Sequence, residues 1–142
     1  MSYKEWFEEH AKKHKEIVQR LLAQGFGKEQ IIEYFEFSNM AETEPSFCPL
    51  YAQNKKCHDM EHLNCYLCAC PNFRFSDGGI KKVKERTMYS FCAIDSKEGK
   101  AGVYGDAIHQ DCSGCTVPHT KENVTRHFDT DWKKIMALCV VD

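Results

Sequence analysis

Cysteine spacing is the feature of this sequence that most constrains its fold. Two close pairs, Cys65-Tyr-Leu-Cys68 and Cys112-Ser-Gly-Cys115, share the C-x2-C arrangement. This arrangement puts two sulfurs on the same side of a tight turn, at a separation that one metal ion can bridge. Two such turns complete a tetrahedral set of four thiolates, so the spacing predicts a metal centre. Its predicted ligands are Cys65, Cys68, Cys112 and Cys115.

Five more potential ligands lie close to these pairs in the sequence. They are Cys48, Cys57, His58, Cys70 and His119. One tetrahedral ion rarely binds three thiolates spaced as tightly as Cys65, Cys68 and Cys70. We therefore expect a second metal site made from four of these five residues, or one multinuclear cluster. In a further alternative, the two pairs interleave between the sites.

The hydrophobic content shows that the centre of the chain needs a stabiliser other than a packed core. Leu, Ile, Val and Phe make up 29 of the 142 residues, near the ~20% level at which a packed core becomes marginal. Residues 40–120 hold only 13 of them in 81 positions, but they hold eight of the nine cysteines. Metal coordination or disulfides must therefore stabilise this region.

The sequence favours metal over disulfides. The start, residues 1–6, has no apolar signal core, and no apolar run approaches the ~18 residues of a membrane span. We therefore expect a cytoplasmic protein whose thiols stay reduced and act as metal ligands or redox groups. The formal charge of −2 argues against nucleic acid, and the absence of a basic cluster argues against a membrane. Metal ions and a protein remain as expected partners.

Two kinds of metal centre fit these ligands. Histidine among the cysteines favours zinc, a borderline-soft ion that takes both nitrogen and sulfur. Closely spaced cysteines followed by proline, as in Cys70-Pro71, are also typical of iron–sulfur sequences. Zinc is slightly favoured, and either centre would supply folding free energy to the core-poor region.

Helical periodicity is confined to the two ends of the chain. Apolar residues recur at helical spacing in 3–24 and 28–37, which predicts a helical hairpin within residues 1–39. Residues 40–120, broken by proline and glycine, are predicted to form an irregular Cys/His metal-binding region with two or three short strands. Residues 121–142 are predicted to form a C-terminal helix, with a break or a new cap at 129–131. The predicted fold is one small, metal-stapled α+β domain.

Residues 46–120 resemble a known family in the order of their Cys, His, Pro and Gly residues. The matching segments are Asn54–His58, Asn64–Pro71, the Gly78-Gly79 pair and Asp111–His119. They resemble the cysteine-rich small domain family, which is described as metal-binding and zinc-finger-like. The resemblance implies metal binding but no reaction. Members come largely from anaerobic microbes, so the resemblance also raises the expectation of an iron–sulfur cluster.

The chain departs from the family pattern at one ligand position. The family usually carries a cysteine before the paired glycines, where this chain has Asp77. The following stretch, Ile80–Gln110, is longer than expected and contains Cys92, so Cys92 or Asp77 is the candidate for the missing ligand. Cys48 also lies further upstream of Cys57 than the family spacing suggests.

Other reactive side chains have simpler interpretations. His10 and His14 have the i, i+4 spacing of a metal pair, but they lie among Lys and Glu and are predicted to be on a solvated helix face. Cys139 follows Met136 and Leu138 and is predicted to be a small core residue. No nucleotide-binding or hydrolase motif is present, so the sequence offers no positive evidence for catalysis.

Three functions are compatible with this pattern. The leading hypothesis is a non-catalytic metal module with a structural or partner-binding role. The alternative is an iron–sulfur protein for electron transfer or redox sensing. The least favoured is a thiol redox or metal-delivery protein that uses Cys65 and Cys68 as an exchangeable pair. That role requires an accessible thiolate of low pKa.

Overall fold

The computed structural model describes residues 2–68 and 70–141. Helices occupy both ends of the chain and short strands occupy its centre, which confirms the predicted α+β class. The helices are α1 (Tyr3–Ala23), α2 (Lys28–Tyr34), α3 (Phe37–Thr43), α4 (Lys121–His127) and α5 (Trp132–Ile135). The strands are β1 (Phe73–Phe75), β2 (Lys81–Val83), β3 (Arg86–Met88), β4 (Ser90–Cys92), β5 (Lys100–Tyr104) and β6 (Ala107–Asp111).

Local signals set both ends of α1. The Ser2 hydroxyl accepts a hydrogen bond from the Glu5 backbone N–H at 3.1 Å, and the Glu5 carboxylate accepts one from the Ser2 N–H at 3.2 Å. After Ala23 the chain turns at Gly25, whose φ of 85° is readily adopted only by glycine. Residues 2–68 and 70–141 contain no helix whose length and apolar character would let it cross a membrane.

The buried face of α1 includes two histidines, so the predicted solvated position of His10 and His14 is wrong. The buried residues of this helix are Phe7, His10, Ala11, His14, Ile17, Val18 and Leu21. His14 is fully buried, and its Nε2–H donates to the Tyr66 carbonyl at 3.1 Å. His10 stacks on Trp6. Both histidines occupy positions on the apolar stripe of α1. Their position on this face predicts their burial, whereas the charge of their neighbours in the sequence does not.

The burial of His10 predicts a loss of stability in acid. Burial, together with the positive charge of Lys13, lowers the pKa of His10 to about 4. In the unfolded chain the His10 imidazole is protonated near the ordinary pKa of ~6.5. Stability is therefore lost as pH falls from about 6.5 toward 4. The free energy of unfolding of His10→Phe minus that of the wild type should therefore be about 2 kcal/mol larger at pH 5 than at pH 8.

Urea unfolding of both proteins at the two pH values measures this difference. The exposed His127 provides the matched control, since His127→Phe removes an imidazole without changing the buried face of α1. An equal change in free energy of unfolding at pH 5 and pH 8 for His10→Phe would contradict the prediction.

Two helix boundaries depart from simple periodicity. The predicted helix 28–37 is instead two helices, because α2 ends at Tyr34 and the Phe37 N–H donates to the Leu63 carbonyl at 2.8 Å. The C-terminal segment is also interrupted. Asp131 caps α5 by accepting a hydrogen bond from the Lys133 N–H at 3.1 Å. The break before α5 was predicted at residues 129–131. The break after Tyr34 depends on the contact with Leu63, which is distant in sequence.

Helices from both ends meet the first cysteine pair in one core. α1 packs against α5, and α2 packs against α3 and α4. Tyr66 is fully buried between them; its hydroxyl donates to the Asp129 carbonyl at 2.7 Å and its ring stacks on Phe128. Leu63 and Leu67 are also fully buried. Apolar packing therefore holds the segment that contains the Cys65–Cys68 turn.

The strands form two small sheets, and the larger one has little apolar packing. β1 pairs with β4, and the other strands are ordered β2-β3-β6-β5, with β3 and β6 parallel. Within these last four strands only Ile108 is buried. The end of the chain extends the smaller sheet: the Phe75 N–H donates to the Cys139 carbonyl, and the Val141 N–H donates to the Phe75 carbonyl, both at 2.8 Å. The predicted shortage of core is therefore concentrated in residues 76–119.

Candidate metal centre

Cys57, His58 and His119 come together at one point. The ligand atoms that they offer all lie within 4.8 Å of one another. The Cys57 sulfur lies 3.0 Å from Nδ1 of His58 and 3.6 Å from Nε2 of His119. Cys57 and His58 follow the short turn Pro49–Gln53, and His119 ends the turn that precedes α4. One thiol and two imidazoles from distant parts of the chain thus form a compact set of ligands.

Hydrogen bonds determine which nitrogen of each ring is protonated. Nδ1 of His119 lies 2.9 Å from the Asn64 carbonyl oxygen, and Nε2 of His58 lies 2.9 Å from the Cys112 carbonyl oxygen. A carbonyl only accepts, so these nitrogens carry the N–H. In the neutral rings the opposite nitrogens then carry lone pairs, and both face the Cys57 sulfur. Backbone carbonyls orient metal-binding histidines in this way.

Burial keeps one of these rings in the form that a metal needs. His119 is buried, and burial lowers its pKa. A neutral imidazole offers a lone pair, whereas an imidazolium offers none. Cys57 is exposed, so an ion can approach the three ligands from the solvent side.

Three more cysteines, Cys48, Cys65 and Cys68, lie in the surrounding region, but none of their sulfurs is within 4.8 Å of all three ligand atoms. Burial raises the pKa of the Cys65 thiol to about 12, and the nearby thiols of Cys57 and Cys48 contribute to the rise. The Tyr51 hydroxyl lies among the sulfurs of Cys65, Cys48 and Cys68, which add to the effect of burial in raising its pKa. We call Cys48, Cys57, His58, Cys65, Cys68 and His119 the thiol–imidazole group.

A second set of cysteines lies at the other end of the site. Burial and then the neighbouring thiols of Cys70, Cys115 and Cys92 raise the pKa of the Cys112 thiol to about 11. Burial also raises the pKa of Cys70, and Cys92 and Cys115 add to this shift. We call Cys70, Cys92, Cys112 and Cys115 the four-cysteine group.

Both C-x2-C segments form tight turns, as their spacing predicts. The Cys68 N–H donates to the Cys65 carbonyl at 3.3 Å, and the Cys115 N–H donates to the Cys112 carbonyl at 3.0 Å. The first turn lies in the thiol–imidazole group and the second in the four-cysteine group. The two turns therefore fall in different groups, and how their cysteines are divided between metal ions stays a prediction.

The conformation of Cys70 shows how neighbouring cysteines reach different groups. Cys70 has a φ of 57°, in the left-handed region that costs a side-chain-bearing residue about 1–2 kcal/mol. Its N–H donates to the Leu67 carbonyl at 2.8 Å, which closes the turn after Cys65–Cys68. The chain then leaves toward β1, and Cys70 lies near Cys92 of the strand that pairs with β1.

A cavity of about 450 Å³ joins the two groups. The cysteines and histidines that line it are Cys57, His58, Cys68, Cys70, Cys112, Cys115, His119 and Cys139. Cys139 is 1% exposed and packs in the hydrophobic core, which confirms its predicted position. Its side chain also reaches the cavity wall, a role that its local sequence did not indicate.

Asp77, one of the two candidates for the missing ligand, lies at the amino end of α1 and outside both groups. Its carboxylate accepts hydrogen bonds from the backbone N–H groups of Tyr3 at 2.8 Å and Lys4 at 3.2 Å, at the amino end of α1. Of the two candidates for the extra ligand, Cys92 is therefore the one that lies near other cysteines. The orienting role of the Asn64 carbonyl was not predicted, because a backbone contact of this kind has no sequence signature.

Comparisons with protein-family models, with curated proteins and with solved structures found no match to this chain. The similarity to the cysteine-rich small domain family therefore stays a prediction based on the ordered Cys, His, Pro and Gly residues. The function proposed below depends on the geometry of the site.

Proposed function

We propose that this protein binds metal through cysteine and histidine and acts as a non-catalytic structural or partner-binding module. The observation that carries the proposal is the orientation of two imidazole lone pairs toward the Cys57 sulfur. A thiol can donate only one proton, so it satisfies one of these two nitrogens at a time. A cation bound by the thiolate and both rings would satisfy all three atoms.

The ligand types favour zinc in the thiol–imidazole group. Zinc accepts mixed sulfur and nitrogen ligands in tetrahedral sites, and Cys48, Cys65 or Cys68 would have to supply the fourth ligand. Burial of Cys65 and His119 lowers the effective dielectric constant around the ion and strengthens its attraction to thiolate. The carbonyl partners of His58 and His119 hold the rings in place for binding.

An iron–sulfur cluster is the second candidate. The observation that favours it is the cavity of about 450 Å³, which six cysteines line and which exceeds the space that one ion needs. Cysteine thiolates are the usual ligands of such clusters. Electron transfer or redox sensing would then be the function.

Thiol redox chemistry or metal delivery has less support. Both roles require a thiolate of low pKa, whereas burial raises the pKa of Cys65 to about 12 and is the main cause of the rise in Cys112 to about 11. Rapid alkylation of the metal-bound protein tests this possibility. A fast-reacting Cys65 or Cys68 would restore it.

Purification without oxygen, followed by elemental analysis and a visible spectrum, tests the proposed function. We expect a colourless protein that contains zinc. A brown protein with iron, acid-labile sulfide and absorbance that bleaches on reduction would establish the iron–sulfur alternative. A protein that retains neither metal after anaerobic purification, and binds neither on reconstitution, would overturn both.

His119→Ala is expected to weaken zinc binding at the thiol–imidazole group by more than 100-fold. Loss of a residue that only orients a ligand costs about 10–100-fold in affinity, and His119 is assigned as a ligand itself. Competition with a chromogenic chelator measures the change. The control is His127→Ala, which removes an exposed imidazole on α4; equal affinities for the two variants would contradict the assignment.

A further inference from the structure

The fold brings the four-cysteine group together from three places. Cys92 is the last residue of β4 and lies opposite Phe73 of β1, which places it beside the chain that leaves Cys70. Cys112 and Cys115 form the turn that directly follows β6. β4 packs against β6 of the other sheet, and this contact brings Cys92 toward the turn.

A separate small cavity lies among these residues. Its volume is about 30 Å³, and Cys70, Cys92, Cys112 and Cys115 all contribute to its wall. A space of this size holds about one water molecule, and therefore one ion. Apolar atoms of Ile94 and Val117 also line it, so water offers little competition to the sulfurs.

Hydrogen bonds from Ser96 support two of the sulfurs. The Ser96 backbone N–H donates to the Cys92 sulfur at 3.5 Å, and the Ser96 hydroxyl lies 3.4 Å from the Cys115 sulfur. Donors of this kind stabilise thiolate over thiol, and groups that hydrogen-bond to ligands are typical of metal sites.

The approach of the Ser96 turn depends on Gly114. A Cβ atom at Gly114 would lie 3.0 Å from the Glu98 carbonyl oxygen, closer than ordinary contact. The Thr116 hydroxyl donates to the Glu98 carboxylate at 3.1 Å and ties the same two turns together. The glycine inside the second C-x2-C pair thus lets a second turn cover the cysteines.

We infer that Cys70, Cys92, Cys112 and Cys115 form a second metal centre, a four-thiolate site for one Zn²⁺. This inference rests on the proposed metal-binding function but concerns ligands other than Cys57, His58 and His119. Four thiolates around one small cavity would repel one another, and a divalent cation between them would convert the repulsion into attraction. Thiolate is the ligand that zinc takes in closed structural sites, at Zn–S distances of about 2.3 Å.

Zinc analysis of Cys92→Ser holoprotein tests the inference. We expect two zinc ions per chain in the wild type and one in this variant. Cys139→Ser is the matched control, because Cys139 lines the larger cavity but lies outside the four-cysteine group. Cys92→Ser with two tightly held zinc ions would overturn the second site, and so would the same loss of zinc in both variants.

X-ray absorption at the zinc edge separates this inference from the proposed function. In His119→Ala holoprotein we expect the remaining zinc to show only sulfur neighbours at about 2.3 Å, without the nitrogen shell at about 2.0–2.1 Å. Loss of one zinc from Cys92→Ser but none from His119→Ala would uphold the four-thiolate site and reject the thiol–imidazole site. Nitrogen neighbours that persist when His58 is also replaced by Ala, or iron with sulfide in place of zinc, would overturn the four-thiolate zinc assignment.

Discussion

Removal of metal with a chelator is expected to unfold residues 76–119 while the helical core stays folded. Within β2, β3, β5 and β6 only Ile108 is buried, so apolar packing contributes little to this region. Structural zinc contributes about 10–16 kcal/mol to the folding of small zinc domains, comparable to the whole stability of about 5–15 kcal/mol of an ordinary domain. The local loss should therefore be nearly complete.

Amide hydrogen exchange with and without chelator measures the effect. We expect protection to fall in β5 and β6 and to persist in α1, which is held by its own apolar face. Tyr66 and its neighbours should keep their packing because they contact helices at both ends of the chain. Unchanged protection in β6 after verified metal removal would contradict a stabilising role for metal.

Tyr66→Ala is expected to destabilise the protein by about 3–5 kcal/mol, the usual cost of deleting a fully buried aromatic side chain. Tyr66 is 0% exposed and lies inside the Cys65–Cys68 turn. The Ala variant loses the ring contacts with His14, Phe35 and Phe128 as well as the hydrogen bond to the Asp129 carbonyl. The same change should loosen the turn and weaken metal binding.

Urea unfolding of the metal-bound protein at pH 8 tests this expectation. Tyr66→Phe keeps the ring and removes only the hydroxyl, so it should cost about 1 kcal/mol. Leu22→Ala is the surface control, since Leu22 on α1 is 46% exposed. A Tyr66→Ala cost equal to that of Leu22→Ala would show that the turn is not anchored in the core.

The thiol–imidazole group and the four-cysteine group are connected through His58. Its Nε2–H donates to the carbonyl of Cys112, a member of the four-cysteine group, while its Nδ1 faces the Cys57 sulfur. A ligand of one group is therefore oriented by the backbone of the other. If both groups bind metal as proposed, this connection would let the two sites stabilise the same poorly packed region together.

The sequence alone determined the features that depend on residues close together in the chain. Helical periodicity predicted the helices at both ends, and C-x2-C spacing predicted the tight turns at Cys65–Cys68 and Cys112–Cys115. These features need only neighbouring backbone groups, which hydrogen-bond within a few residues. The same reasoning predicted that stabilisation by packing would be scarce in the centre.

Only the tertiary structure decided which distant groups meet. The burial of His10 and His14 depends on rings from Phe47 and Trp132, which are far away in sequence. The separation of Cys70 from Cys68 depends on a left-handed backbone conformation, and the arrival of Cys92 depends on the pairing of β1 with β4. Spacing along a chain identifies residues that are able to bind metal, but long-range packing determines which of them share an ion.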